Sequence, residues 1–265
     1  MLRDITIGQY YPADSMIHRL DPRVKLFATL FYVISLFCVR GIVGFGVVTA
    51  ALVAAIMLSS VPFKFMVKGL KAIMILMVIT ALFNIFLTPG EVMFSFWILE
   101  VTKEGVTNAV FMTFRLIYLI LGTSIMTLTT TPNQLTDGLE KALRPLNKIK
   151  VPVHAIAMMM SIALRFIPIL IEETDKIMKA QMARGADFEN GNMLKRVKNM
   201  IPLLVPLFVS AFRRADDLAM AMEARCYNGG AGRTKMKPLT YVRRDYIAYV
   251  VVVVYFVLVL LCNKI

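Results

Sequence analysis

Two arginines with small neighbours are the residues of this sequence whose type and spacing best suit binding chemistry. They lie in Ala183-Arg184-Gly185 and Ala224-Arg225-Cys226, 41 residues apart, and each tripeptide follows an amphipathic, basic segment. The planar guanidinium donates two parallel hydrogen bonds to a carboxylate, and small neighbours let a partner surface approach. A single arginine at a helix end more often complements the helix dipole. The repetition favours a paired binding device over two ordinary helix ends.

No other pattern in the sequence predicts catalysis or metal binding. A glycine-rich phosphate loop, G-x-S-x-G and H-E-x-x-H are all absent. His18 and His154 are far apart, and the three cysteines, Cys38, Cys226 and Cys262, are scattered. We therefore predict no catalytic residue, no metal site and no cofactor bound by this chain.

The composition predicts an integral membrane protein. Of 265 residues, 58% are hydrophobic, and the mean hydropathy is +0.69. The net charge of +13 does not indicate nucleic-acid binding, because the Lys and Arg residues are distributed as in a membrane protein. Residues 131–244 carry 19 Lys or Arg against 10 Asp or Glu, and most other cations flank apolar runs. Such a bias is typical of the cytoplasmic face of a membrane protein.

Five apolar segments are long enough to span a bilayer. They are residues 24–39, 42–61, 72–88, 105–129 and 246–262. The fold class is therefore all-α, with an N-terminal membrane domain at 1–130, a basic helical module at 131–244 and a final span within 245–265. The lysine and arginine bias predicts a cytoplasmic N-terminus and an external C-terminus.

The basic module is predicted to hold three helices. The first begins at Thr131, with Gln134 as capping-box partner, and ends near Leu143. The second follows Pro152 and reaches Ala183, and the third runs from about Met200 to Arg225. Although the second helix begins with an apolar half, Arg165 and Pro168 favour a helix that lies at the membrane interface rather than one that crosses it.

Ala211, Ala215 and Ala219 repeat at every fourth residue of the third helix. Small residues at this spacing form a ridge that lets two helices cross closely. We predict that this ridge marks the crossing point of the two long helices.

Arg115 and Arg165 lie in apolar surroundings. A charge in such surroundings is costly unless it is paired. We predict that both are buried structural charges with a carboxylate or carbonyl partner, and Glu172 and Glu173 are candidate partners for either.

Several longer motifs resemble the transmembrane T component of energy-coupling factor transporters, which are ATP-driven bacterial importers. The resemblance covers nearly the whole chain and rests on four motifs. They are Ile17-His18-Arg19-Leu20-Asp21-Pro22-Arg23-Val24-Lys25, Ala163-Leu164-Arg165-Phe166-Ile167-Pro168, Ala180-Gln181-Met182-Ala183-Arg184-Gly185-Ala186-Asp187 and Glu223-Ala224-Arg225-Cys226-Tyr227.

The resemblance implies a subunit without catalytic activity in the bacterial cell membrane. Its long coupling helices carry Arg184 and Arg225 into grooves of two ABC-type ATPase subunits, which hold ATP and Mg²⁺. Cys226 stands where Gly, Ala or Ser is usual in this family. A separate S component captures the vitamin or micronutrient and docks on the coupling helices. Met158, Met159 and Met160 are either core packing or an adaptable docking surface for S components.

Two alternatives remain open within and outside this family. The opening Ile5-Thr6-Ile7-Gly8-Gln9-Tyr10 resembles the T component that serves several S components, but a dedicated cobalt or nickel importer is the closest alternative. A self-sufficient secondary transporter is the alternative from another class, although it is expected to show internal repeats with broken spans in matching halves.

Overall fold

The computed structural model describes residues 10–39, 41–96, 99–186, 188, 193–229, 236 and 238–262. Within these residues the chain forms eight α-helices and one short antiparallel hairpin. The helices are α1 (Pro22–Cys38), α2 (Ile42–Ser59), α3 (Phe63–Leu87), α4 (Lys103–Thr129), α5 (Pro132–Leu143), α6 (Val153–Ala183), α7 (Met193–Ala224) and α8 (Arg243–Cys262). The hairpin pairs β1 (Val92–Phe96) with β2 (Leu99–Thr102), and a 3₁₀ helix (Arg144–Ile149) precedes α6. Two parts of the motifs quoted above lie outside the described residues: 5–9 and Asp187.

Four of the described helices, α2, α4, α6 and α8, are long and apolar enough to cross a membrane. Helix α3 adds a fifth if its halves Phe63–Lys71 and Ile73–Leu87, which meet at 59°, form one span. Helix α1 has 17 residues, which is the lower limit for a span. Apart from the short hairpin, the described chain is helical, and the prediction of an all-α, multi-pass membrane protein is confirmed.

The cap predicted for α5 is present, whereas two element boundaries differ from prediction. Thr131 and Gln134 exchange side-chain to backbone hydrogen bonds of 3.3 and 3.2 Å, which forms the predicted capping box. Helix α7 begins at Met193 rather than near Met200, so Pro202 and Pro206 lie inside it. Helix α3 begins at Phe63, before the predicted span 72–88, and therefore includes Lys64, Lys68 and Lys71.

The described chain divides into two compact units. The membrane unit contains Gly8–Gly138 and Leu239–Ile265, so α8 belongs with α1–α4 rather than to a separate segment. The helical module contains Leu139–Pro238 and therefore holds α6 and α7. The sequence had placed these boundaries at 131 and 244.

Two apolar clusters hold the membrane unit together. One joins α2, α3 and α4 through Leu52, Met66 and Leu121. The other joins α1, α2 and α8 through Leu36, Val48 and Val259, each of which is fully buried. The outward faces carry exposed apolar side chains. Inside the bilayer, packing and interhelical hydrogen bonds hold the helices together, because lipid tails are as apolar as the cores.

The N-terminal ends of α1 and α8 are joined by a network of buried polar groups. Asp245 is 1% exposed, and its carboxylate accepts hydrogen bonds from the backbone N–H of Asp21 at 3.0 Å and of Val242 at 2.8 Å. Asp21 caps α1 by accepting from the backbone N–H of Arg23 and forms a salt bridge of 2.8 Å with the Arg23 guanidinium. That guanidinium stacks 3.7 Å from the ring centroid of Tyr241. These contacts fix the start of the last helix against the start of the first.

A close approach of α1 and α4 requires a glycine at position 122. A Cβ atom there would lie 2.2 Å from Cε1 of Tyr32. The Tyr32 ring cannot easily move, because its hydroxyl donates to the Tyr118 carbonyl at 2.9 Å. Gly122→Ala is therefore expected to destabilise the membrane unit by about 1–3 kcal/mol. Thermal unfolding of the detergent-solubilised chain measures this loss.

The matched control is Gly46→Ala, also in a membrane helix. A Cβ at Gly46 meets nothing within 4 Å. This variant is expected to unfold at or slightly above the wild-type temperature, since Ala favours helices more than Gly does. Equal midpoints for the two variants would show that α1 and α4 do not pack as described.

Candidate functional site

Helix α6 ends in a Schellman motif that places Arg184 at the C-cap. Gly185 has φ +89°, and its N–H donates to the Met182 carbonyl at 2.9 Å. The N–H of Ala186 reaches back to the Gln181 carbonyl at 3.0 Å. This pair of bonds, with a glycine in the left-handed region, stops the helix abruptly. Arg184 therefore projects from a fixed helix end.

Helix α7 ends in the same motif, with Arg225 at the equivalent position. Cys226 has φ +54°, and its N–H donates to the Glu223 carbonyl at 2.8 Å. The N–H of Tyr227 donates to the Met222 carbonyl at 3.0 Å. Cys226 thus occupies the left-handed position that glycine occupies in α6, at a conformational cost that glycine avoids. The two tripeptides are matching C-caps, a likeness that the sequence alone did not specify.

Both arginines are exposed. Within the described part of the chain, no hydrogen bond or ion pair engages either guanidinium. Because no described residue uses the five N–H donors of either guanidinium, these donors are offered to another molecule. The two helix ends therefore present a pair of donors suited to carboxylates or backbone carbonyls.

A polar clamp braces α6 against α7. The Glu173 carboxylate accepts from the Ser210 hydroxyl and, at 2.7 and 3.1 Å, from the Arg214 guanidinium. Farther along, the Gln181 amide donates to the Pro202 carbonyl at 3.4 Å. Later residues of α6 thus meet earlier residues of α7, so the helices run in opposite directions where they touch.

This arrangement separates the two arginines widely. Arg184 lies just past Gln181, which contacts Pro202, whereas Arg225 lies at the far end of α7. The stretch from Pro202 to Arg225 spans about 35 Å at about 1.5 Å per residue. The module therefore offers two binding groups at opposite ends of a braced helix pair.

The alanine ridge does not form the described contact between α6 and α7. Ala215 and Ala219 are exposed, and Ala211 is half-buried. The clamp instead uses Ser210 and Arg214, on the neighbouring stripe of α7. Two polar anchors turn the adjacent face of α7 toward α6, and a crossing at the ridge stays a prediction. The sequence signal that was missed is the pair of opposite charges at Glu173 and Arg214.

The two arginines predicted to be buried differ from each other. Arg115 is half-buried, and its guanidinium donates to the Val39 carbonyl at 2.8 Å, at the C-terminal end of α1, where a cation is favoured. Arg115 thus contacts a carbonyl of the kind expected. Arg165 is exposed on α6 in the chain by itself, and its burial stays a prediction. Glu173 bonds Arg214 and pairs with neither predicted arginine.

The methionine run lies near the start of α6. Met159 is 59% and Met160 is 39% exposed, while Met158 is half-buried. Nearby, His154 Nδ1 contacts the Glu140 carboxylate at 2.9 Å. Among the described residues, no cluster of His, Cys, Asp or Glu is suited to a metal ion. Core packing therefore accounts for Met158 alone, and a docking role for the other two stays a prediction.

Protonation of the clamp gives a pH-dependent test. Hydrogen bonds from the Ser210 hydroxyl, and then from Arg214, hold the pKa of Glu173 below its usual value of 4.5. A carboxylate with a lowered pKa in the folded state stabilises that state above pH 4.5 and loses the effect as the pH falls through the folded value. Glu173→Gln is therefore expected to cost about 1 kcal/mol at pH 7, because the pair is partly exposed, and less at pH 3 than at pH 7. Thermal unfolding at the two pH values measures the difference.

Glu172→Gln is the matched control for the clamp. Glu172 is exposed, next in sequence to Glu173 and outside the described hydrogen bonds to α7. Its unfolding is expected to equal that of the wild type at both pH values. If both variants lose the same stability at pH 7, net charge rather than the clamp stabilises the pair.

Comparison with known proteins identifies the family of this chain. The CbiQ family, described as cobalt transport protein, matches residues 13–236. The energy-coupling factor transporter transmembrane protein EcfT of Clostridium kluyveri is 57% identical over 250 residues, which cover 94% of this chain and 93% of the relative. The proteins of the same name from Bacillus subtilis and Lactococcus lactis are 48% and 44% identical and cover 92% and 100% of the chain, and 93% and 100% of their own lengths. With motifs, membrane helices and full-length relatives in agreement, the chain belongs to the CbiQ family of transport proteins, together with the EcfT transmembrane proteins of energy-coupling factor transporters.

Proposed function

We propose that this chain is the membrane coupling subunit of an ATP-driven energy-coupling factor importer. The observation that carries the proposal is the pair of matching C-caps, each of which presents an exposed arginine at one end of the braced α6–α7 pair. Two donors about 35 Å apart suit two binding sites on separate subunits better than one small ligand.

The partners of the two arginines are, in this proposal, two ABC-type ATPase subunits. A groove lined by carboxylates or backbone carbonyls accepts the guanidinium fork, and the small residues beside each arginine let the groove wall approach. The chain itself is not an enzyme and binds no cofactor. ATP and Mg²⁺ belong to the partner subunits, because this sequence has no phosphate-binding loop. The stiff helix pair then transmits movement of the ATPases to the membrane.

The substrate reaches the chain through a separate S component that captures a vitamin or micronutrient. The exposed Met159 and Met160 offer an adaptable apolar surface for that partner. The description of the matched family names cobalt transport, whereas the relatives carry the general name of the energy-coupling factor transporter. A dedicated cobalt or nickel importer, in which the chain keeps the same coupling role, is the alternative within the family.

The orientation that fits this role places the N-terminus and the helical module in the bacterial cytoplasm. The lysine and arginine bias of the sequence supports it. The module then lies on the side where ATP is available, and the C-terminus lies outside the cell.

Co-purification tests the proposal directly. The tagged full-length chain, solubilised from its native cells in mild detergent, is expected to bring down two ATPase chains and a small hydrophobic protein. ATP hydrolysis by that complex is expected to depend on the co-purified chains. If instead the chain is recovered alone and by itself moves a substrate into liposomes along an ion gradient, it is a secondary transporter.

A further inference from the structure

A cavity of about 670 Å³ lies inside the membrane unit, between α1, α2, α4 and α8. Its walls are mostly apolar and include Leu52, Ala55, Met126 and Val251. The cavity is separate from the two arginine motifs, and no role described so far uses it.

The cavity has the depth of one membrane leaflet. Along α8 it extends from Arg244 to Tyr255, a distance of about 16 Å at the rise of an α-helix. One leaflet contributes about 15 Å of hydrocarbon. The cavity therefore runs from the membrane surface to about the middle of the bilayer.

The deep end of the cavity offers no polar group to a ligand. The Tyr32 hydroxyl donates to the Tyr118 carbonyl at 2.9 Å, and the Tyr255 hydroxyl lies 2.7 Å from the Ser35 hydroxyl oxygen. With both polar tips occupied, the rings of Tyr32 and Tyr255 present only their apolar faces. An occupant must therefore be apolar at this end.

The surface end of the cavity is cationic. Arg19, Lys25 and Arg244 line it. Lys25 is 5% exposed, and its ammonium group donates to the carbonyls of Thr129 at 2.8 Å and His18 at 3.2 Å, which leaves one of three donors. Arg244 is exposed and enters no hydrogen bond or ion pair among the described residues.

The acidic groups near this end are already engaged. Asp14 pairs with Arg19, and Asp21 pairs with Arg23. The Asp245 carboxylate accepts two backbone N–H groups, which leave its charge in place. Among the described residues, Lys25, Arg244 and Asp245 therefore give one net positive charge at the mouth.

We propose that this cavity binds a phospholipid with an anionic headgroup, with an acyl chain between the four helices and the phosphate beside Lys25 and Arg244. By the positive-inside rule, the lipid comes from the cytoplasmic leaflet. An acyl chain fits the shape, and the phosphate supplies the missing negative charge.

Native mass spectrometry of the full-length chain in detergent tests the proposal, with phosphatidylglycerol and phosphatidylcholine as probes. Wild type is expected to retain phosphatidylglycerol about fivefold better, given the usual contribution of one basic residue near anionic lipid. Arg244→Gln is expected to remove most of that preference. Arg243→Gln, which changes the neighbouring exposed arginine outside the cavity, is expected to keep it.

A second variant pair tests the apolar part of the site. Ala51 lines the cavity, whereas Ala50 is exposed on the same helix and does not. Ala51→Phe is expected to lower retention of both lipids severalfold, and Ala50→Phe to leave it unchanged.

Equal retention of the two lipids by wild type overturns the proposal, and so do equal losses in Arg243→Gln and Arg244→Gln. Either result means general annular lipid only. The arginine pair decides the question even if Ala51→Phe fails to fold, because both arginines are exposed. If a co-purified protein rather than lipid occupies the cavity, the proposal is also wrong.

Discussion

Replacing both Arg184 and Arg225 by glutamate is expected to release the ATPase subunits and abolish substrate uptake, while the chain still inserts into the membrane. Each guanidinium is exposed at a fixed helix end, so the substitution leaves the fold intact. Loss of one partner from a buried, charged hydrogen bond typically costs about 2–5 kcal/mol. Glutamate adds repulsion from the carboxylates that the arginine is proposed to bind.

The single variants are expected to show why two arginines are present. With one anchor intact, the second contact forms at high effective concentration, so Arg184→Glu or Arg225→Glu alone weakens the complex but does not dissolve it. Losing both arginines removes that advantage, so the affinity of the double variant for the ATPase subunits falls far below that of either single variant. Lysine at either position is expected to restore binding only in part, because an ammonium group lacks the planar fork.

The measurements are pull-down of the ATPase subunits and uptake of the substrate into cells or liposomes. Arg165→Glu is the matched control, since Arg165 is also exposed on α6 but lies away from the helix end. A double variant that binds the ATPases and transports like wild type shows that the motifs are ordinary helix caps.

The second large effect is expected at Asp245, within the membrane unit. Asp245→Ala removes a carboxylate that accepts the N–H groups of Asp21 and Val242, so the buried bond to Asp21 and the part-buried bond to Val242 are both lost. An unsatisfied buried group costs about 1–3 kcal/mol, which is a large fraction of the stability of a small domain. We expect little folded protein in the membrane fraction.

Two companion variants make this result specific. Asp245→Asn keeps one acceptor oxygen and is expected to fold with intermediate stability. Asp216→Ala, which changes an exposed aspartate of α7, is expected to express and unfold like wild type. Expression level and thermal unfolding in detergent measure all three. Normal unfolding of Asp245→Ala contradicts the link between α1 and α8.

The sequence was sufficient to predict most helices, because long apolar runs and local caps are encoded by neighbouring residues. Thr131 and Gln134 predict the start of α5, and Gly185 predicts the end of α6. The hairpin between α3 and α4 was missed, since strands of four or five residues carry too little alternation. The bend of 59° in α3 also has no local signal such as a proline.

The sequence predicts which residues form the candidate site, but it does not predict which faces of the helices meet. The two arginine tripeptides are visible as a repeated pattern, and the structure adds that both are Schellman caps. Which stripe of α7 meets α6 depends on the rotation of the helix, which the sequence does not specify. Ser210 and Arg214 lie one stripe away and hold the carboxylate of Glu173. The cavity was unforeseeable, because four segments from distant parts of the sequence enclose it.

The hydrogen bond between Asp21 and Asp245 joins positions 224 residues apart, and this has a consequence for biosynthesis. The ribosome releases α1 into the membrane long before α8 exists, so the N-terminal end of α1 waits for its acceptor until α8 has been translated. During that interval the long α6 and α7 are already made. The newly inserted helices thus remain unlocked until α8 arrives, and the synthesis of α8 is the step that closes the membrane unit.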